Sequence, residues 1–281
     1  MDHLEATATE TIGVDTTDTP DESHHRCDDA ELARVLGGLA QNRVIPYYQP
    51  QVELGSGRVV GLEALARWIC GTGEVFGPET FVPVLERHRR VTELTARMLD
   101  RAARDLSLWR DAGLVRTAFC LAINVSATEL GDRRIVEVVD GTLDRHGLVG
   151  ADLCLEITET APIDDLEAAT AVLTELRERV GVRIAIDDYG TGHATPTYLE
   201  HLPADIVKID RSFVAAVRGR RSRSFICDTI ARAAHRGMTV VAEGVERVEQ
   251  LDDLLGLGCT VGQGFHIAVP TEHYPADLAV A

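Results

Sequence analysis

From Asp29 onward the chain repeats one alternation, an apolar run of strand length followed by a segment of helical periodicity. The apolar runs lie at 45–54, 58–66, 117–126, 152–158, 182–188, 205–210, 238–243 and 259–265. Amphipathic helices are expected at 91–112, 133–147, 164–180, 223–236 and 246–256. The 164–180 segment has an acidic first turn, basic residues in its last turn and Gly181 as the C-cap, as the helix dipole and left-handed cap geometry favour. Eight strands alternating with helices over roughly 250 residues make an α/β fold of the TIM-type (β/α)8 barrel kind. The alternative is an open doubly wound sheet, which usually carries a glycine-rich phosphate loop after an early strand; none stands here. Only Gly55, Ser56 and Gly57 separate the first two runs. So short a link makes a hairpin and cannot hold a crossover helix, so the first strand should run antiparallel to its neighbour.

Composition excludes several classes of function. A net charge of −17 over 281 residues argues against binding DNA, RNA or an anionic membrane surface. No uninterrupted apolar stretch approaches the length of a membrane span. The N-terminus has acids and no apolar core of a secretory signal, so a cytoplasmic location is expected. The six cysteines form no C-x-x-C pair, which argues against a thiolate zinc site or a disulfide framework. Residues 1–29 carry nine acids and one arginine with few large apolar groups, and read as a disordered acidic tail ahead of a single domain at 30–281.

Strands of a parallel barrel are apolar inside, and here the exceptions gather at their C-terminal ends. Glu63, Asn124, Glu156 and then Glu159, Asp187 with Asp188, Lys208 with Asp210, Glu243 with Glu246, and Gln263 all fall there. A single strand-end acid is most simply a helix cap or a solvated side chain. Repetition at nearly every strand is different, because converging strands bring these groups to one rim. Carboxylates crowded in a low dielectric repel one another, and Lys208, the only lysine in the chain, is too little compensation. Divalent metal is therefore expected, and an oxygen-rich ligand set suits Mg²⁺ or Mn²⁺ better than Zn²⁺. Adjacent Asp187 and Asp188 could serve two ions about 3.5–4 Å apart. A lone lysine among 28 basic residues is either chance or a position that needs a compact ammonium in place of a planar guanidinium.

These motifs resemble the EAL-domain family of cyclic di-GMP phosphodiesterases, from about Tyr48 to Pro270. The naming tripeptide is Glu63-Ala64-Leu65 within EALARW. Around it, in order, stand YQP at 48–50, INVSA around Asn124, LEITE around Glu156, DDYGTG at 187–192, VKIDRSFV at 207–214, AEGVE at 242–246 and QGF at 263–265. The resemblance implies that Glu63, Asn124, Glu156 and Asp187 hold one metal, and that Asp187 bridges to a second shared with Asp188. Glu243 corresponds to a metal ligand or general base, and Lys208 to the lysine at the nucleophilic water. Gln49, Leu65, Arg67 and Gln263 fall at substrate-contacting positions; Glu159, Glu246 and Asp210 support the site and its loops. It further implies a homodimer that hydrolyses cyclic di-GMP to linear pGpG with two Mg²⁺ or Mn²⁺ ions. The chain departs from the family after EALARW, where ICGTGEVFGP replaces a His-Pro turn and LERHRRV replaces an Ala-Glu segment with a glycine. It departs again after DDYGTG, where HATPTYL, with His193 and Pro196, replaces a Tyr-Ser-Ser run. Two other readings remain at this level: an EAL module that binds the dinucleotide or a protein without turnover, and a metal-dependent barrel hydrolase of another substrate.

Overall fold

The computed structural model describes residues 22–115, 119–158, 163, 165–191 and 196–274, with the backbone alone for 22–28 and 196–197. In chain order the elements are α1 (Glu22–Ala40), β1 (Val44–Glu53), β2 (Val59–Ile69), β3 (Val75–Phe76), α2 (Val82–Arg87), α3 (Val91–Asp111), β4 (Cys120–Ser126), α4 (Arg134–His146) and β5 (Leu153–Thr158). They continue with α5 (Leu166–Glu175), β6 (Arg183–Tyr189), α6 (Pro196–His201), β7 (Ile206–Ile209), α7 (Arg211–Ala215), α8 (Arg220–His235), β8 (Thr239–Ala242), α9 (Val248–Leu257) and β9 (Val261–Gly262).

The strands close into a barrel in the order β1-β9-β8-β7-β6-β5-β4-β2, with β2 pairing back onto β1. From β2 through β4 to β9 every neighbour is parallel, whereas β1 is antiparallel to both β2 and β9. The short link at Gly55–Gly57 forces this, and it sets Gln49 directly opposite Glu63. The two-residue β3 pairs antiparallel with the end of β2 outside the closed ring, a hairpin that the turn-rich 70–76 segment did not announce. One continuous apolar cluster fills the barrel and the layer beneath the helices; Leu62, Leu121, Leu155, Ile184, Val207 and Leu254 are fully buried in it.

All five expected helices appear, with shifted ends. The 164–180 segment starts at Leu166, where the Ala168 amide donates to the Asp165 side chain at 3.0 Å. It runs on through a π-helical turn, Leu176–Val180, and stops at Gly181, whose φ of 85° is the left-handed cap. The last strand is shorter than its apolar run, because the chain turns away at Gln263 and Gly264 packs on the backbone of Val245. A Cβ on Gly264 would meet the Val245 nitrogen at 2.2 Å. Helix α1 begins inside the segment read as tail, and it buries Val35 and Leu39, one turn apart, against the domain; residues 1–21 lie outside the described residues.

Candidate metal centre

The strand ends converge on one buried ammonium. Lys208 on β7 is 1 % exposed, and its Nζ lies 2.7 Å from Glu156 Oε2, 2.8 Å from Glu243 Oε1, 3.0 Å from Asp187 Oδ1 and 3.3 Å from Glu63 Oε2. Four strands thus deliver carboxylates to one lysine. Glu63 is also held by Asn124, whose Nδ2 donates to its Oε1 at 2.8 Å, and by a short bond from Gln263. Gln263 donates as well to Gln49 Oε1 at 3.0 Å, and Gln49 donates to the Ala268 carbonyl at 3.0 Å. Gln51, which sequence reasoning passed over, donates to Glu156 Oε1 at 3.2 Å. It lies two residues after Gln49 on β1, so strand alternation places both amides on the barrel's inner face.

Asp187 and Asp188 need a special backbone to serve one site, because neighbouring residues of a regular strand point to opposite faces. Here the β6–β7 register breaks between Ile186 and Tyr189, and Asp188 takes φ 49°, unusual for a residue other than glycine. With that kink both side chains line the same cavity. The Asp188 amide donates back to Asp187 Oδ1 at 3.0 Å.

The electrostatics are unbalanced. Burial and the Glu63 charge push the Glu156 carboxyl well up from its usual range against the pull of Lys208. Burial likewise raises Asp187, and burial with the Asp187 charge raises Glu243. Burial and its neighbour Asp187 push Asp188 up to about 6. Glu63 goes the other way: burial opposes its ionisation, but Lys208, Gln263 and Asn124 outweigh that and hold it low. Burial alone would lower the Lys208 pKa; the surrounding carboxylates, Asp187 first, lift it instead. Fully ionised, these five carboxylates and one ammonium leave four negative charges, the charge that two divalent ions cancel.

The donor set fits such ions. Ligand oxygens of Glu63, Glu156 and Asp187 lie within 4.8 Å of one another, and so do those of Asp187, Asp188 and Glu243. Asp187 is common to both sets. All donors are hard oxygens, the chemistry Mg²⁺ and Mn²⁺ prefer.

Above the ring opens a cavity of roughly 470 Å³. Gln49, Glu63, Leu65, Asn124, Asp187, Asp188, Asp210, Glu243, Glu246 and Gln263 all line it. Asp210 also caps α7, accepting from the Ser212 amide at 2.9 Å. Arg67 does not line the cavity: it donates to the Ala66 carbonyl at 2.8 Å and its guanidinium stands 5.9 Å from the Tyr47 ring centre. Glu159, expected to anchor a loop, lies outside the described residues, as does His193; of Pro196 only the backbone is described.

The EAL domain family model matches residues 32–270. The chain belongs to the EAL domain family. It is 34 % identical over 244 residues to the bifunctional diguanylate cyclase/cyclic di-GMP phosphodiesterase MucR of Pseudomonas aeruginosa, covering 86 % of this chain and 35 % of MucR. It is 37 % identical over 233 residues to the cyclic di-GMP phosphodiesterase NbdA of the same organism, covering 83 % of this chain and 29 % of NbdA. A solved structure of the PaMucR phosphodiesterase in complex with c-di-GMP superposes with a TM-score of 0.79 at 32 % identity, covering 86 % of this chain and 97 % of that one. The chain spans about a third of the length of the curated relatives it matches. Among the described residues no helix is long and apolar enough to cross a membrane.

Proposed function

We propose that this EAL domain is a divalent-metal-dependent phosphodiesterase that hydrolyses cyclic di-GMP to linear pGpG. The observation that carries the reading is Asp187, shared between two carboxylate triads around one buried lysine. The similarity to relatives named cyclic di-GMP phosphodiesterases supplies the substrate.

Glu63, Asn124, Glu156 and Asp187 would hold one ion, and Asp187, Asp188 and Glu243 the other, with Mg²⁺ or Mn²⁺ as the matching metals. Bound there, such ions would neutralise phosphate charge and lower the pKa of a bound water. The reaction adds water across one P–O3′ bond: hydroxide joins phosphorus and the 3′ oxygen leaves with a proton. Glu243, at 15 % side-chain exposure the most open of the carboxylates paired with Lys208, is placed to accept the proton of the attacking water. Lys208 supplies a fixed point charge beside the charge that develops on the phosphoryl oxygens. Its Nζ meets four carboxylate oxygens within 3.3 Å, a contact set that suits a compact ammonium. Gln263 orients Glu63 and is itself held by Gln49, and their amides border the cavity where substrate would lie.

The test is incubation of the purified chain with cyclic di-GMP in Mg²⁺ or Mn²⁺, with and without chelator, and identification of the product. The expected product is pGpG, abolished by chelation. Binding without turnover would make the chain a receptor for the dinucleotide, and turnover that survives chelation would remove the metal from the account.

A further inference from the structure

Against a net charge of −17, one stretch of this chain is strongly basic: residues 218–236 hold six arginines and a single acid, Asp228. They form α8 and the turn before it. Three of these arginines are engaged. Arg218 pairs with Asp253 at 2.6 Å, Arg232 with Glu200 at 3.6 Å, and Arg236 donates to the Glu200 and Leu202 carbonyls at 3.0 and 3.3 Å. Arg220, Arg221 and Arg223 are exposed and have no ion pair or side-chain hydrogen bond among the described residues. All three fall among the first four residues of α8, whose first turn holds no acid and whose N-cap, Gly219, brings no side-chain cap. The N-terminal end of a helix favours anions, so cations crowded there oppose the dipole and one another. Beside them lies an open groove of roughly 650 Å³, bordered by Arg220, Arg221, Phe213, Phe225, Asp228 and Gly190. The Phe213 and Phe225 rings stack with centres 3.9 Å apart. The groove shares no lining residue with the cavity over the acid ring. Its wall is aromatic and its rim cationic, which suits an acidic segment that also carries apolar side chains.

We propose that this face of α8 is the docking surface for the chain's own acidic N-terminal segment, residues 1–21, which lies outside the described residues. That segment holds six acids, Asp2, Glu5, Glu10, Asp15, Asp18 and Asp21, and neither lysine nor arginine. Ile12 and Val14 stand between Glu10 and Asp15. One short stretch thus offers apolar groups for the phenyl rings and carboxylates that guanidinium forks accept as paired partners. A chain of that length, fully extended, reaches about 70 Å, against a radius of gyration of about 18 Å for a domain of this size. Exposed ion pairs are individually weak. A tether compensates, because it makes the contact intramolecular at an effective concentration of about millimolar for a short linker. A separate acidic partner has no such advantage. The groove borders Gly190, two residues after Asp188, so the docked segment lies against the loop that follows the paired aspartates without entering the cavity.

The experiment uses the full chain carrying Thr11→Cys, with Cys27→Ser and Cys70→Ser to remove competing thiols, and a short bis-maleimide. Cys227 is exposed and lies four residues after Arg223, one turn further along the same face of α8. The rate of cross-linking between position 11 and Cys227 is read by peptide mass spectrometry and divided by the rate at which Cys227 takes a monofunctional maleimide. An intrachain link should form. It should slow by about tenfold when Arg220→Gln, Arg221→Gln and Arg223→Gln are combined, the scale of three exposed ion pairs lost together. Glu10→Gln with Asp15→Asn and Asp18→Asn, which leaves α8 untouched, should slow it comparably. So should salt of about 1 M, where the Debye length is about 3 Å. A rate that the acid substitutions leave unchanged overturns the proposal, and so does a link that forms only between two chains, which gives the face to a second copy. The measurement reads no turnover, so its outcome is independent of the hydrolysis reading.

Discussion

Two clusters of ion pairs in this molecule use similar groups to opposite effect. On the surface, Arg133 and Arg179 share Glu175 and reach Glu137 and Asp140, with every arginine about half exposed or more. Cations and acids there are nearly matched, water screens them, and such pairs contribute about 0–1 kcal/mol each. In the barrel mouth four carboxylates pair with one ammonium that is 1 % exposed, and a fifth, Asp188, stands beside Asp187. Burial of unmatched charge costs several kcal/mol per ion even after relaxation, so folding gains nothing from the arrangement. The surface cluster is explained by solubility and local order. The ring is explained only by what it binds, and the distinction between the two can be broken by experiment.

The largest effect is expected from Glu63→Ala. Loss of partners that merely orient metal ligands already costs about 10–100-fold in affinity or activity. Removing a ligand itself should therefore abolish cyclic di-GMP hydrolysis, and a steady-state rate above about 10 % of wild type would contradict its place in the ring. Lys208→Arg comes next. It keeps the charge, yet the guanidinium is larger, planar and differently hydrated; most activity should be lost, and near-normal turnover would show that any cation suffices. A smaller effect is thermodynamic. A divalent cation should bind only the folded ring, so saturating Mg²⁺ or Mn²⁺ should raise the melting temperature, with about 2.7 kcal/mol of stabilisation at a hundredfold excess over Kd. Asp188→Asn should reduce that gain and, by relieving repulsion with Asp187, should raise the melting temperature of the metal-free protein. A metal-free variant no more stable than wild type would mean that the ring is not strained. Smallest of all, Arg133→Ala should shift stability by less than about 1 kcal/mol and leave turnover alone. A larger change in denaturant midpoint would erase the contrast with the ring.

The closed barrel, its antiparallel first strand and the ring were legible in the sequence because each broke a simple rule. Three residues cannot carry a crossover, and an acid at the end of an apolar run interrupts strand periodicity wherever it occurs. What stayed hidden depends on three-dimensional detail. The left-handed backbone at Asp188 and the broken register beside it place two adjacent aspartates in one cavity, and no residue pattern specifies that kink. Gln51 was readable from its spacing with Gln49 but carries no chemistry of its own. Arg67 is cationic and sits four residues after Glu63, yet the structure rests it on Tyr47 outside the cavity lining. Helix α1 starts within a stretch whose acidity and lack of large apolar groups mask helical order, since its packing residues, Val35 and Leu39, come only in its second half.

The central claim is that Asp187 joins two cation sites organised around Lys208. Titration of the metal-free chain with Mn²⁺, followed by electron paramagnetic resonance, addresses it without requiring turnover. The account predicts two Mn²⁺ per chain with the magnetic coupling of a bridged pair, and loss of both the coupling and one or both ions in Asp187→Ala. A single uncoupled ion in the wild-type chain, or an undiminished coupled pair in the variant, would contradict it.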